Sequence, residues 1–208
     1  MTAVNALNAM QSMVRWRTPT VQFDDPFQVL IATVLSARTR DANTEKASRQ
    51  LFARFPTPQT LGRARVRTIE RLIKPAGFYR VKARHVKALS LQLMHDFQGV
   101  VPDSKELLMS LKGVGSKTAG CVLVYAFKKP AIPVDVHVHR VFNRLGILDT
   151  RFPEDTEGAL ESLVPRKRWL EVNHLSVLFG QTICLPRNPK CKECMLSAQC
   201  PHVISRTQ

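Results

Sequence analysis

The chain has 208 residues, enough to bury a hydrophobic core as one domain or as two small ones. It carries 31 Lys and Arg against 16 Asp and Glu, and the resulting net charge of +15 favours a polyanionic partner. Because a basic balance also suits membrane surfaces and ribosomes, charge alone does not identify that partner. No apolar run approaches the roughly 20 residues of a membrane span, so we expect no membrane-spanning segment.

The N-terminal segment and the cysteines indicate an intracellular setting. The first basic residue, Arg15, follows the apolar part of the segment, whereas a secretory signal begins with its positive charge. Four of the five cysteines lie close together near the C-terminal end, which fits a metal site in a reducing cytosol better than a disulfide framework. We therefore expect a cytoplasmic protein.

Helical periodicity predicts an all-α fold, and no stretch shows convincing strand alternation. Asp25 and Ser116 are predicted helix caps, and Asp103 with Glu106 predicts a capping box. The predicted helices are 4–15, 26–36, 41–55, 58–61, 66–74, 80–96, 116–128, 136–145, 155–164 and 168–183.

Residues 111–128 combine a glycine turn with an apolar helix. Gly113, Val114 and Gly115 predict a tight hairpin between two helices, because glycine permits positive φ and a close approach of the backbone to another molecule. Lys117 then falls in the first turn of the next helix. The positive end of a helix dipole disfavours an ammonium group, so this position favours a neutral, nucleophilic amine. Taken alone, Lys117 reads equally as a solvated surface lysine.

The chain can return after this helix towards the hairpin. Pro130 and Pro133 end the helix and keep the next segment extended, and seven such residues span up to about 24 Å, against about 18 Å for the helix. Asp135 then lies where it caps the following helix. Capping alone would explain Asp135, but Lys117 and Asp135 could also face one cleft.

A cysteine-rich loop follows the last predicted long helix. Four thiolates in one short loop can enclose a single metal centre, and their spacing leaves zinc and iron-sulfur both open. Cys121, in the middle of the apolar helix, reads as a small core residue instead of a fifth ligand. The loop cysteines are Cys184, Cys191, Cys194 and Cys200, separated by six, two and five residues.

Several segments match one family. GVGSKTAG followed by VDVHVHR resembles the helix-hairpin-helix and catalytic-aspartate segment of the endonuclease III family of DNA glycosylases, and DPFQVLIATVLSARTRD, GFYRVKA and the cysteine loop extend the match. The resemblance implies an all-α helix-hairpin-helix glycosylase fold with two helical domains and a DNA-binding cleft between them. These would be a six-helix domain at residues 21–128, which contains the hairpin, and an iron-sulfur domain formed by residues 1–20 and 129–208.

The resemblance also implies the chemistry. Lys117 would attack the sugar of a damaged nucleotide, and Asp135 would stabilise positive charge on the sugar and take or relay the lysine proton. The expected enzyme is a bifunctional DNA glycosylase and AP lyase that removes oxidised pyrimidines from duplex DNA and nicks the abasic site by β-elimination, in base excision repair. The expected cofactor is a four-iron four-sulfur (4Fe-4S) cluster on the four loop cysteines.

Two basic segments are expected to contact DNA phosphates. Gly113, Val114 and Gly115 would donate backbone N–H groups, and Lys112, where the family usually has proline, would add a charge. The cluster loop could be a stiff basic element rather than a redox centre, with redox sensing left open. Its phosphate-contacting residues would be Arg187, Lys190 and Lys192.

Arg38 and Phe78 occupy the positions with which the family fills the gap left by an extruded nucleotide, where glutamine and leucine are usual. Phe78 can serve as an apolar wedge, although a core aromatic is the alternative. Arg38 leaves opposite-base contacts open. His139 and Arg140 are predicted as surface or phosphate-contacting residues.

Two other functions remain as alternatives. One is a monofunctional adenine or thymine mismatch glycosylase of the same superfamily, although such enzymes generally lack the lysine found at 117. The other is a non-catalytic iron-sulfur protein that binds damage or signals redox state, which intact Lys117 and Asp135 disfavour. We expect a monomer that binds damaged duplex DNA near the nucleoid.

Overall fold

The computed structural model describes residues 1–15 and 23–204, and these two ranges contain twelve α-helices and no strand. The all-α prediction is therefore confirmed. The helices are α1 (Ala3–Met13), α2 (Pro26–Ser36), α3 (Asp41–Phe52), α4 (Pro58–Arg63), α5 (Val66–Leu72), α6 (Tyr79–Asp96), α7 (Lys105–Met109), α8 (Ser116–Tyr125), α9 (Val136–Arg144), α10 (Pro153–Leu163), α11 (Trp169–Thr182) and α12 (Pro201–Ile204). Within the same ranges, no helix has the length and apolar character needed to cross a bilayer.

The chain divides into two compact units. Residues 1–17 and 130–208 form the first unit, and residues 18–129 form the second. The second unit contains α2 to α8, which is one helix more than the resemblance implies when the short α7 is counted. The domain boundary expected at residues 20 and 21 lies outside the described residues.

Helix caps explain where several helices begin. The Asp25 carboxylate accepts a hydrogen bond from Gln28 N at 3.0 Å, and Pro26 occupies the first turn, so the predicted start of α2 is confirmed. The capping box at Asp103 is wrong. Ser104 is the residue with extended backbone before α7, and its hydroxyl accepts from Leu107 N, while Asp103 pairs with Lys129.

The second unit is built around α2 and α8. Helix α2 packs against α3, α6 and α8 and buries Leu30, Ile31 and Leu35 completely. Six consecutive residues of α8, from Ala119 to Val124, are buried, which confirms the prediction of a helix that is apolar on all sides. This burial anchors α8 and thereby fixes the hairpin that precedes it.

The first unit joins the N-terminal helix to the C-terminal third of the chain. Helix α11 packs against both α1 and α9, and α10 packs against α9. Leu7, Met10, Phe142 and Phe179 are almost completely buried in the shared core. Because α9 is held on two sides, the residues along it have fixed positions, beginning with the aspartate that caps it.

Candidate active site

The two glycines of the hairpin between α7 and α8 have different backbone conformations, left-handed at Gly113 and extended at Gly115. Gly113 has φ of +73°, whereas Gly115 has φ of −93° and is the N-cap of α8. The predicted cap at Ser116 is therefore wrong, because Ser116 is already the first helical residue. Val114 is buried and donates its N–H to Leu111 O at 3.1 Å. That N–H is bonded inside the turn, so the phosphate contact expected at Val114 would share a donor that is already used, and it stays a prediction.

Two side chains of α6 form hydrogen bonds with the backbone N–H and C=O of Lys112. The Gln92 side chain accepts from Lys112 N at 2.8 Å and donates to Ser110 O at 3.2 Å. His85 Nε2 lies 2.6 Å from Lys112 O and must carry the proton, because a carbonyl only accepts. The sequence analysis did not identify either residue, because their positions on α6 do not indicate that they bind the backbone of Lys112.

Alanine substitution should affect stability differently at the two hairpin glycines. A Cβ at Gly113 would lie 2.1 Å from His85 Nε2 and would require a left-handed backbone, so Gly113→Ala should lower the melting temperature by several degrees, the shift expected for about 1–2 kcal/mol. A Cβ at Gly115 meets no atom within 4 Å and its φ of −93° suits alanine, so Gly115→Ala should lower the melting temperature less than Gly113→Ala does, by no more than the small cost of an alanine N-cap. Equal melting temperatures for the two variants would contradict this assignment.

Lys117 is the second residue of α8 and is half-buried. No described residue of its own unit forms a hydrogen bond or an ion pair with its ammonium group. Burial of α8 fixes the backbone at Lys117, while its terminal nitrogen has no competing partner in that unit. Such an amine is available to a bound substrate.

Asp135 is the N-cap of α9, as predicted. Its Oδ1 accepts from His137 N at 2.9 Å and from Val138 N at 3.0 Å. Both bonds use one carboxylate oxygen, so they fix the direction of the other. Asp135 lies in the first unit and Lys117 in the second.

The last turns of α9 hold the segment that carries the first loop cysteine. Arg140 donates to Gly180 O at 2.9 Å and to Cys184 O at 3.0 Å, and Arg144 donates to Leu185 O at 2.6 Å. The expectation of a surface or phosphate-contacting Arg140 is therefore wrong. The same expectation for His139 is wrong too, because its ring bonds to Thr156 Oγ1 at 2.7 Å. Both side chains are occupied inside the first unit.

The four loop cysteines line one cavity. Among the described residues, no three His, Cys, Asp or Glu side chains lie close enough together to hold a single metal ion. Burial raises the pKa of the Cys194 and Cys200 thiols, so positive charge is needed to hold them as thiolates.

The basic residues of the cysteine loop point to solvent. Arg187, Lys190 and Lys192 are all exposed. Lys190 lies 3.7 Å from the Glu193 carboxylate, but an exposed pair of this kind contributes little and leaves the ammonium accessible. The loop thus presents three cations beside the cysteine cavity.

Arg38 and Phe78 lie together in the second unit. Both have left-handed backbones, with φ of +52° and +57°, a conformation that costs a non-glycine residue roughly 1–2 kcal/mol. The Arg38 guanidinium carbon is 5.9 Å from the centroid of the Phe78 ring. Phe78 is 62% exposed, so the alternative of a core aromatic is wrong. Two strained loops therefore present a cation and an apolar ring side by side.

Comparison with known proteins assigns the family. Residues 31–166 match the HhH-GPD superfamily base excision DNA repair protein family. Endonuclease III of Thermotoga maritima is 53% identical over 176 residues, or 85% of this chain and 83% of that protein. Endonuclease III of Synechocystis sp. is 34% identical over 200 residues, or 96% of this chain and 91% of that protein.

A solved structure gives the same assignment. The structure of a trapped endonuclease III–DNA covalent intermediate, an estranged-adenine complex, matches with a TM-score of 0.93 at 34% identity, over 99% of this chain and 97% of that chain. The chain therefore belongs to the endonuclease III family within the HhH-GPD superfamily of base excision DNA repair proteins.

Proposed function

We propose that this chain excises oxidised pyrimidines from duplex DNA and then nicks the abasic site by β-elimination. As a member of the endonuclease III family, it is a DNA glycosylase with AP lyase activity, and DNA is its partner. The observation that carries the proposal is Lys117, held by a buried helix directly after a glycine hairpin and without a bonded partner in its own unit.

The proposed reaction begins with nucleophilic attack by Lys117. Its Nζ bonds to C1′ of the damaged nucleotide, the glycosidic bond breaks, and the base leaves with the bonding electrons. Opening of the sugar gives an imine. Loss of a proton from C2′ then allows the C3′–O bond to break and release the 3′ phosphate. Asp135 stabilises the positive charge that develops on the sugar and accepts or relays the lysine proton.

The hairpin is proposed to bind a DNA phosphate. The Val114 N–H is used inside the turn, so the available backbone donors are those of Gly113 and Gly115, with Lys112 adding an exposed charge. The open space at Gly115 supports this assignment, since a phosphate can approach its backbone freely. Arg187, Lys190 and Lys192 are proposed as further phosphate contacts.

The cysteine cavity is proposed to hold a 4Fe-4S cluster, with Cys184, Cys191, Cys194 and Cys200 as ligands. Iron-sulfur clusters are held by four cysteine thiolates, and four thiols around one cavity fit that donor set. The iron supplies the positive charge that buried thiolates require. Ligation would tie the basic loop to the Arg140 and Arg144 contacts, and the proposed role is structural.

Metal analysis should find about four iron atoms per chain in a yellow-brown protein purified without oxygen. Cys194→Ser should lose the colour, because the loop would then supply three thiolates. Cys121→Ser offers a matched control, since Cys121 is buried in α8 and is not a proposed ligand. A colourless, active preparation that contains one zinc per chain would contradict the proposal.

Arg38 and Phe78 are proposed to enter the base stack when the damaged nucleotide is extruded. Phe78 is exposed and apolar and would replace lost stacking, and Arg38 would contact the base opposite the lesion. The chain is also proposed to act as a monomer in the cytoplasm, close to the nucleoid.

Borohydride trapping on duplex DNA that contains an abasic site tests the proposal. Reduction of the imine attaches an AP lyase covalently to DNA, whereas a monofunctional mismatch glycosylase or a damage-binding protein stays unattached. A parallel assay of base release from a duplex that contains thymine glycol tests the lesion class. Failure to trap the wild-type protein on abasic DNA would overturn the bifunctional assignment.

A further inference from the structure

Lys82 is a buried lysine that no step of the proposed reaction uses. Its side chain is 7% exposed, and it lies on α6, one helical turn after Phe78. Its ammonium donates to three oxygens, namely Leu35 O at 2.7 Å, Ala37 O at 2.6 Å and Thr39 Oγ1 at 2.8 Å. These acceptors come from the end of α2 and from the residues on either side of Arg38. One cation therefore binds the loop of Arg38 from the helix that follows Phe78.

The buried charge of Lys82 is expensive for folding. Burial lowers its pKa from 10.5 to about 8. Because the pKa is lower in the folded chain than in the unfolded one, the ammonium reduces stability below about pH 8, and this cost diminishes as the pH rises towards 10.5. A neutral amine has only two N–H donors and could not satisfy three acceptors. The geometry thus calls for the charged form, whose three hydrogen bonds offset the cost of burial.

A second contact holds the same two loops together. Gly77 N donates to Thr39 Oγ1 at 3.0 Å, so one hydroxyl receives both Lys82 and the backbone directly before Phe78. A Cβ at Gly77 would lie 2.7 Å from Arg38 O, closer than real Cβ atoms approach other heavy atoms. The backbones of the two loops are therefore in direct contact at the residues next to Arg38 and Phe78.

We propose that Lys82 is a positioning residue that fastens the Arg38 loop to the Phe78 loop and so presents the two side chains to DNA as one preformed wedge. The strained backbones at Arg38 and Phe78 require such a fastening, because neither conformation is favourable by itself. A wedge that is ordered before binding spends less binding free energy on loop ordering and more on base extrusion. This inference rests on the proposed function, in which the two residues enter the base stack.

The test measures damage recognition in the full-length protein with Lys82→Met, which keeps an unbranched side chain one atom shorter and removes its donors. The probes are two duplexes, one undamaged and one with a single tetrahydrofuran site, which needs no catalysis. We expect the ratio of their affinities to fall about tenfold, the factor associated with loss of a charge-assisted hydrogen bond. Affinity for the undamaged duplex should stay within about twofold, because the buried ammonium cannot reach phosphate.

A double-mutant cycle with Phe78→Ala distinguishes positioning from a general structural role. If Lys82 acts through the wedge, Lys82→Met should lower the affinity ratio by a clearly smaller factor in the Phe78→Ala background than in the wild type, with Arg38 accounting for what remains. Lys87→Met is the matched control, because Lys87 also lies on α6 and donates to a backbone carbonyl, that of Ala64, at 2.9 Å. It should leave the ratio unchanged.

Gly77→Ala reaches the same wedge by a different route. It forces the two loops apart without changing charge, so it should reproduce the fall in the ratio and the dependence on Phe78. This variant decides the question if Lys82→Met does not fold, as judged by circular dichroism.

Three results would overturn the proposal, namely an unchanged ratio, an equal loss with and without Phe78, or the same loss in Lys87→Met. Borohydride trapping of the wild type, done on the same preparation, tests the proposed function separately.

Discussion

Lys117→Gln should abolish borohydride trapping on abasic duplex DNA, which is the largest effect expected for any single substitution in this chain. The change removes the proposed nucleophile and keeps a polar side chain of similar size. Lys117 has no bonded partner in its own unit, so the melting temperature should remain that of the wild type. Duplex affinity should be largely retained, because only one of 31 Lys and Arg is lost.

Lys112→Gln is the matched control for this experiment. It makes the same chemical change five residues earlier, at an exposed position on the hairpin. It should weaken duplex binding, lower the slope of log affinity against log salt by about 0.9 and still allow trapping. Covalent attachment of Lys117→Gln at the wild-type rate would mean that another amine forms the imine.

The sequence predicts elements best where local signals determine them. Asp25 before Pro26 marks the start of α2, and the apolar run of α8 predicts its burial. Errors arise where a neighbouring residue competes for the same role, as when Ser104 caps α7 in place of Asp103. Helix α8 also ends at Tyr125, before the predicted residue 128, because Lys128 adopts a positive φ. Such differences of one to three residues depend on local geometry that composition does not encode.

The residues that sequence reasoning missed bind distant backbone. The sequence gives no signal for Lys82 or Gln92 and predicts a surface or phosphate-contacting role for Arg140, yet each donates to or accepts from main-chain groups far along the chain. Their partners lie 47, 20 and 44 residues away, respectively. The pattern of polar and apolar residues along a helix cannot indicate such contacts, because every residue type has main-chain groups that can serve as the partner. The residues that position the site are thus harder to predict than the residues proposed to react.

The capping geometry of Asp135 makes its charge separable from its structural role. Asparagine is about as good an N-cap as aspartate, so Asp135→Asn should preserve both the hydrogen bonds to His137 N and Val138 N and the start of α9. Asp135→Ala would remove the cap too and should cost about 1 kcal/mol of stability. The asparagine variant therefore reports the loss of negative charge at the sugar.

Base excision by Asp135→Asn should fall by about 10²–10³-fold, or roughly 3–4 kcal/mol, the range for loss of a key electrostatic group. Single-turnover release of thymine glycol from duplex DNA would measure this fall, with the melting temperature followed in parallel. Asp25→Asn provides the control, because Asp25 caps α2 through the same kind of bond and has no proposed part in the reaction. It should match the wild type in both measurements. A wild-type excision rate in Asp135→Asn would remove Asp135 from the chemistry and leave it a helix cap, whereas a slow rate at an unchanged melting temperature would assign the loss to the carboxylate charge.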